Sequence, residues 1–333
     1  MATIRDIAER LGVAVSTVSK GLNGAPDISE ELRRQVLDTA VEMGYRTKKM
    51  RKEEHKKLAI FVENMDFEHI EDFGYDLILG FKQMAYRDNW AVNVVSANPK
   101  LMSREKYDTY MLMHGYSGAF AMGFALKDTW MEQIAKTDIP TVLLDNYVSL
   151  NQHVGYVGTD SDEGIELAIK KLYDLGHRKI AFLNGSPNSW VSDQRQAAYE
   201  AGLKNVGLPL DSELTAFGYY VADSARFHVP AMIKAGATAI LCGNDLIASG
   251  VYEVCANEGL KIPKDITVIG FDDLPIAKEL DPALSTIRQD RLELGKCAYF
   301  TLNSLINSVS ISKTMLRPQF IERDSHAAVR KKK

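Results

Sequence analysis

Cysteine is scarce in these 333 residues. Cys242, Cys255 and Cys297 are the only ones, and none stands in a C-x-x-C spacing. Their odd number and spacing argue against a disulfide framework and a thiolate metal site, and the three read as reduced core or surface residues. The seven histidines show no metal-ligand spacing, so no metal and no cofactor is expected. Long hydrophobic runs are missing as well. No apolar stretch approaches the ~18 residues of a membrane-spanning helix, so no membrane segment is expected. The opening MATIRDIAER is charged and amphipathic and has no apolar signal core, which points to a cytoplasmic protein. There is no GxSxG, HExxH, Walker loop or post-strand GxGxxG, and no catalytic set can be assembled. The C-terminus, HAAVRKKK, carries no leucine heptad that could build a tetramerising coiled coil.

What is present is an ordinary globular composition, 46% hydrophobic and 25% charged, in a chain long enough for two or three domains. The net charge of −4 is unevenly spread. Residues 1–57 hold 12 Lys/Arg against 9 Asp/Glu, while the remainder holds 28 against 35. Within 46–57 (RTKKMRKEEHKK) basic residues outnumber acidic ones seven to two. A basic module at one end of an acidic body fits a polyanionic partner held there; a solvated linker is the plainer alternative.

The first 45 residues carry apolar positions at helical spacing: Ile4, Ile7, Ala8 and Leu11, then Val15, Val18 and Leu22, then Val36, Leu37, Ala40 and Val41. Gly12 separates the first run from the second, and Asn23-Gly24-Ala25-Pro26-Asp27 separates the second from the third. Thr3 is placed to cap the first helix with Asp6 three residues on, and Ser29 to cap the third; Ala14 offers the second no capping side chain. Two short helices joined by a turn of about four residues make a helix-turn-helix, whose second helix can enter a DNA major groove. A small three-helix bundle without a ligand is the rival reading. Ser16, Thr17, Ser19 and Lys20 on the exposed side of the second helix, and the basic run behind the module, favour DNA.

From Leu58 onward, short apolar runs alternate with helical stretches. The runs are LAIFV (58–62), AVNVV (91–95), GAFAM (118–122) and TVLLD (141–145), then, after a pause near 150–158, KIAFLN (179–184), LTAFGY (214–219), ATAILCG (237–243) and ITVIGF (266–271). Helices are expected between them, among them 75–88, 98–114, 162–175, 192–206 and 246–259. This is the texture of buried parallel strands in βαβ units, arranged as two similar lobes. LSTIRQDRLELGKCAYFTLNSLI reads as a further strand and helix, and MLRPQFIER as a closing strand. Ligands of such sheets gather at the carboxyl ends of strands, where Asp145, Asn244-Asp245 and Asp272-Asp273 stand.

The series T-I-x-D-I-A-x-x-L-G-V, S-T-V-S-K-x-L-N-G and M-G-Y over residues 3–45 resembles the DNA-binding headpiece of the lactose-repressor/galactose-repressor (LacI/GalR) family. The resemblance implies an α/β protein: a three-helix helix-turn-helix headpiece (1–45), a hinge (46–57), and a two-lobed, periplasmic-binding-protein-like body of doubly wound parallel sheets (58–333). Lobe 1 would take about 58–156 and 285–312, and lobe 2 about 157–284 and 313–330. It implies a dimer on a pseudo-palindromic operator, controlled by a small effector between the lobes, most often a carbohydrate, although some members bind purines or a phosphoprotein. Helices 75–88 and 98–114 are the candidate dimer surfaces.

By the same resemblance Val15, Ser16 and Lys20 fall where bases are read, and Thr3, Thr17, Ser19 and Asn23 where DNA is otherwise touched. Lys20 would approach guanine as a point donor in place of a bidentate arginine. The hinge departs from the pattern: Thr47-Lys48 replaces Pro-Asn and no leucine is present to wedge the minor groove. Met50 is the remaining apolar candidate, and Lys48, Lys49 and Arg51 would neutralise phosphates. The implied effector residues are Asp145, Arg195, Asn244 and Asp272 as hydrogen-bonding groups, Tyr220 as a stacking aromatic, and Phe73 and Trp190 beside them. Carboxylates with a forked arginine suit vicinal hydroxyls, and an aromatic face suits a sugar's C–H surface. Helix capping is the plainer role for Asn244 and Asp273. A solute-binding protein and a sugar-metabolising enzyme with an added helical module remain as rivals; the first has no use for a headpiece and the second lacks a catalytic set.

Overall fold

The computed structural model describes residues 2–45 and 56–329. The N-terminal module is α1 (Ile4–Leu11), α2 (Val15–Asn23) and α3 (Glu30–Glu42). Thr3 accepts from the Asp6 amide while Asp6 accepts from the Thr3 amide, a reciprocal capping box. Gly12 closes α1 at φ 64°, a left-handed conformation that glycine adopts without a Cβ penalty. Ser29 caps α3 through the Leu32 amide, and Ala14 makes no side-chain cap for α2, as the sequence implies. Ile7, Ala8, Val18, Val36 and Ala40 form the buried centre of the three helices, with Leu22 and Met43 packed around it.

The chain continues through β1 (Lys57–Val62), α4 (Phe73–Arg87), β2 (Ala91–Ser96), α5 (Pro99–Arg104), α6 (Tyr107–His114), β3 (Gly118–Met122), α7 (Thr129–Ile134), β4 (Thr141–Leu144) and β5 (Val154–Thr159). Next come α8 (Ser161–Asp174), β6 (Ile180–Asn184), α9 (Trp190–Asn205), β7 (Thr215–Phe217), α10 (Ala225–Lys234), β8 (Ala239–Cys242), α11 (Asp245–Asn257), β9 (Thr267–Asp272) and α12 (Ile276–Glu279). The end of the chain adds β10 (Ser285–Arg288), α13 (Arg291–Ile306), β11 (Lys313–Leu316) and β12 (Gln319–Ile321).

Two six-stranded sheets result, ordered β11-β5-β4-β3-β1-β2 and β12-β10-β9-β8-β6-β7. Both contain the same doubly wound core, a first strand flanked by the second and third, so the expected repeat of architecture is present. Neighbours β1–β2, β1–β3 and β3–β4 are parallel, as are β7–β6, β6–β8, β8–β9 and β9–β10; β12 runs antiparallel to β10. In the second sheet Ala181, Leu183, Ile240, Cys242 and Val268 enter one core, while Ile180, Phe182, Ala239, Leu241 and Ile269 enter the other. Alternate residues thus bury both faces, which is why the strands read as unbroken apolar runs. Cys242 and Cys255 are buried, Cys297 is half-buried, and all three are free.

Four details depart from the sequence reading. The pause near 150–158 contains a fully buried strand, β5. Its glycines dilute the apolar run, and Gly155 is needed because a Cβ there would lie 2.9 Å from the Thr301 side chain and 3.0 Å from the Ile311 carbonyl. Helix 98–114 is two helices, broken where Glu105 turns extended. The closing strand is also two: Pro318, which has no amide to donate, separates β11 in the first sheet from β12 in the second. β7 stops at Phe217, and Tyr219 and Tyr220 turn away with φ of 52° and 59°.

By internal contacts the chain falls into two compact units: residues 1–64, 82–156 and 298–312, and residues 65–81, 157–297 and 313–333. The N-terminal module belongs to the first.

Candidate DNA-reading and ligand-binding sites

On α2, Val18 and Gly21 turn inward, and Gly21 brings the helix against Val36 of α3. The opposite side is open: Val15 is 45% exposed, Ser16 and Lys20 are exposed, and Thr17 and Ser19 are half-buried. Two of the expected DNA-facing groups are already engaged. The Lys20 ammonium donates to the Asp27 carboxylate at 2.5 Å, which draws the Asp27 carboxyl below its ordinary range. Asn23 donates to the Ser19 carbonyl at 2.8 Å. Lys20 must leave Asp27 to meet a guanine, and both ends of the pair are half-exposed, so the exchange is inexpensive. Thr3 stands at the tip of α1 with its hydroxyl in the capping box. Lys48, Lys49, Met50 and Arg51 lie outside the described residues.

The second site lies in the second sheet, at the carboxyl ends of β6, β8 and β9. Its centre is Arg195 on α9, 2% exposed. The guanidinium donates to the Gly243 carbonyl at 2.6 Å and lies 3.7 Å over the Phe271 ring. Its charge acts on Asp272, the last residue of β9, which is 6% exposed and held at φ 109°. Burial pushes the Asp272 carboxyl up to about 6; Arg195, a hydrogen bond from Gln289 at 2.7 Å and the charge of Arg291 pull it back.

Asn244 does cap α11, accepting from the Ile247 amide at 2.8 Å, while its Nδ2 reaches the Tyr220 carbonyl at 3.4 Å. The Tyr220 hydroxyl lies 2.8 Å from Ser192 Oγ, and its ring occupies the space where a Cβ on Gly185 would sit, 2.1 Å from the nearest ring atom. Gly185 is therefore what admits the aromatic ring. Asp273 is tied to Arg288 at 2.7 Å and Arg323 at 2.5 Å, a structural role. Trp190 opens α9 with the Lys313 ammonium 5.5 Å over its ring. Phe73 opens α4, half-buried, and Asp145 follows β4 in the first unit at φ 49°. The structure thus brings together Arg195, Tyr220, Asn244 and Asp272.

Sequence reasoning missed Gln289, and it placed Asp245 at a strand end without giving it a role. Gln289 is 3% exposed, holds Asp272, and its Oε1 has no hydrogen-bond partner among the described residues. Like the residues that were found, it is a polar group just past a strand, β10. Asp245 is fully buried and joins three elements: from the start of α11 it accepts the Leu274 amide at 2.7 Å and the Thr286 hydroxyl at 2.6 Å. Burial, reinforced by the charge of Asp272, pushes its carboxyl well above the ordinary range.

An open helix-turn-helix and a buried polar cluster at the strand ends of a doubly wound sheet define a DNA-binding regulator with a sensor for small molecules. Comparison with known proteins gives the family. Residues 3–48 match the model of bacterial regulatory proteins of the lacI family, and residues 169–326 match the periplasmic binding protein-like domain. The chain thus joins a lacI-type DNA-binding domain to a periplasmic binding protein-like domain and is a transcriptional regulator. It is 26% identical to the ribose operon repressor of Haemophilus influenzae, over 98% of both chains. Its fold is similar to that of the transcriptional regulator CelR in complex with cellobiose (TM-score 0.73, 20% identity, 98% of this chain and 100% of that one). It is also similar to the lac repressor dimer bound to operator (TM-score 0.70, 22% identity, 98% and 99%). Among the described residues no helix is long and apolar enough to cross a membrane, and no group of three or more His, Cys, Asp or Glu could hold a metal ion.

Proposed function

We propose that this protein is a dimeric, cytoplasmic repressor without enzymatic activity, which grips a pseudo-palindromic operator and releases or tightens it on binding a carbohydrate. The observation that carries the ligand class is the buried Arg195–Asp272 pair with Gln289 beside it. A forked cation and a carboxylate fixed at strand ends match adjacent hydroxyls that both donate and accept. Asn244 adds an amide and Tyr220 an aromatic flank; Phe73 and Trp190 complete the proposed lining. The ribose- and cellobiose-related names of the relatives point the same way.

On DNA, residues 1–45 act as the headpiece and 46–57 as its connector. Val15, Ser16 and Lys20 read bases. Thr3, Thr17, Ser19, Asn23, Lys48, Lys49 and Arg51 hold phosphates, and Met50 is the candidate wedge. The ligand and the operator are linked reciprocally: each changes the affinity of the other by the same factor. A gel-shift titration of Lys20→Ala on a duplex selected by the wild-type protein from a random pool tests the reading. The loss should be ~1–3 kcal/mol with relaxed preference at one base pair in each half-site. Unchanged affinity would sink it.

A further inference from the structure

The headpiece is not held to its body by the connector alone. Within the first unit, α3 lies along α6, and four polar contacts join α3 to α6 and to the two residues that lead into it, Glu105 and Lys106. Arg34 pairs with Glu105 at 2.9 Å, the Thr109 hydroxyl donates to Asp38 at 2.5 Å, Lys106 pairs with Glu42 at 3.2 Å, and Arg33 donates to the Met113 carbonyl at 3.2 Å. The seam is covered: Glu105 is 8% exposed and Thr109 1%. Its lobe side is rigid, because the Glu105 carbonyl accepts from buried Trp130 and Tyr107 is packed against the same ring. Its headpiece side uses Arg33, Arg34, Asp38 and Glu42 of α3, and Val15, Ser16 and Lys20 stay exposed while the seam is closed.

The seam is also incompletely satisfied. Arg33 Nε, Arg34 Nε and Glu105 Oε2 are buried without a hydrogen-bond partner among the described residues. Buried polar atoms left unpaired weaken a contact. A docking surface of this composition closes and opens, unlike an apolar core.

We infer that the α3–α6 seam docks each headpiece on its own lobe, presetting the pose of the reading helix so that a dimer meets both operator halves at once. Presetting removes part of the ordering entropy of the second contact and raises its effective concentration. The inference rests on the dimeric, palindromic reading above, and its test separates the two.

The variants are Arg34→Gln/Asp38→Asn on the headpiece side and Thr109→Val on the lobe side. None of these residues is among those proposed to touch DNA. The probes are a palindromic duplex selected by the wild-type protein and the same duplex with one half scrambled. Each variant should lose about tenfold in affinity for the palindrome and less than about twofold for the half-site. Equal losses on both would mean that the seam only stabilises the headpiece. Gains on both would mean that it holds the headpiece away from DNA, and no change would mean that it presets nothing. Each of these overturns the inference. Hydrogen exchange on the full chain without DNA gives an independent reading: α3 and α6 should exchange about tenfold faster in the variants, with β1 and β3 unchanged. Unaltered exchange refutes the docking itself. A wild-type protein with no preference for the palindrome refutes the dimeric reading and leaves the exchange result to decide the seam.

Discussion

Val15 is 45% exposed, whereas Arg195 is 2% exposed. The two functional regions of the chain place their working groups in opposite surroundings. On α2 the groups proposed to contact DNA face water, their present partners are weak and local, and the buried side of the helix does the folding. At the strand ends of the second sheet the groups proposed to bind the ligand are themselves buried, so on that reading the same residues serve binding and stability. Substitutions in the first region should therefore change recognition with little effect on folding. Substitutions in the second should change both.

The largest effect is expected at Arg195. Arg195→Ala removes the counter-charge of buried Asp272 and the donor to the Gly243 carbonyl. Losing that counter-charge and a charged hydrogen bond costs about 1.5–3 kcal/mol, read as a lower midpoint in urea. Protection by sugars in a thermal-shift screen should disappear, while binding to the selected duplex stays within about twofold. A variant of undiminished stability would remove the contrast between the two regions.

How much was legible follows the same division. The helix-turn-helix is local: Thr3, Gly12 and Ser29 fix its ends within the sequence that they cap, and the inward positions recur at helical spacing. The site in the second sheet is assembled from residues separated by up to about a hundred positions. Asp272 and Asn244 could be singled out as candidates because strand ends are where such sheets bind. Gln289, and the joining role of Asp245, depend on which strand lies beside which, and β10 joins β9 only through tertiary packing. The seam between α3 and α6 left no trace in the pattern, because polar residues on a helix surface look the same whether water or another helix covers them.

The next effect is a dependence on pH. Asp272 titrates near 6, above its unfolded value of about 4. If its charged form receives the ligand's hydroxyls, sugar affinity should be fully present above pH 7 and about tenfold weaker at pH 5. Stability of the free protein moves the other way. A raised carboxyl favours the folded state below the unfolded pKa, and that contribution is lost as pH rises through about 6. Calorimetric titrations at pH 5, 6 and 7 check the first trend, and Asp272→Asn should flatten it. DNA binding by the open helix should carry no such inflection from this group.

The smallest effect concerns α2. Its N-cap, Ala14, already has the extended conformation of a capping residue, φ −65° and ψ 148°, but no acceptor. Ala14→Ser should stabilise the headpiece by about 1 kcal/mol, measured by exchange protection of α2, with effector binding unmoved. A matching gain in the second sheet would show that the two regions are not energetically separate.

The division of the C-terminal stretch into β11 and β12 also bears on how the protein is made. The edge strand of the first sheet is residues 313–316, and the Tyr156 amide reaches across to the Ser312 carbonyl, some 150 residues further on. During synthesis the headpiece can fold as soon as it leaves the ribosome. The first sheet must wait, its β5 edge unpaired, until almost the whole chain has emerged. A nascent or prematurely ended chain therefore presents a finished DNA-reading module on an unfinished body, able to approach an operator but not to sense anything.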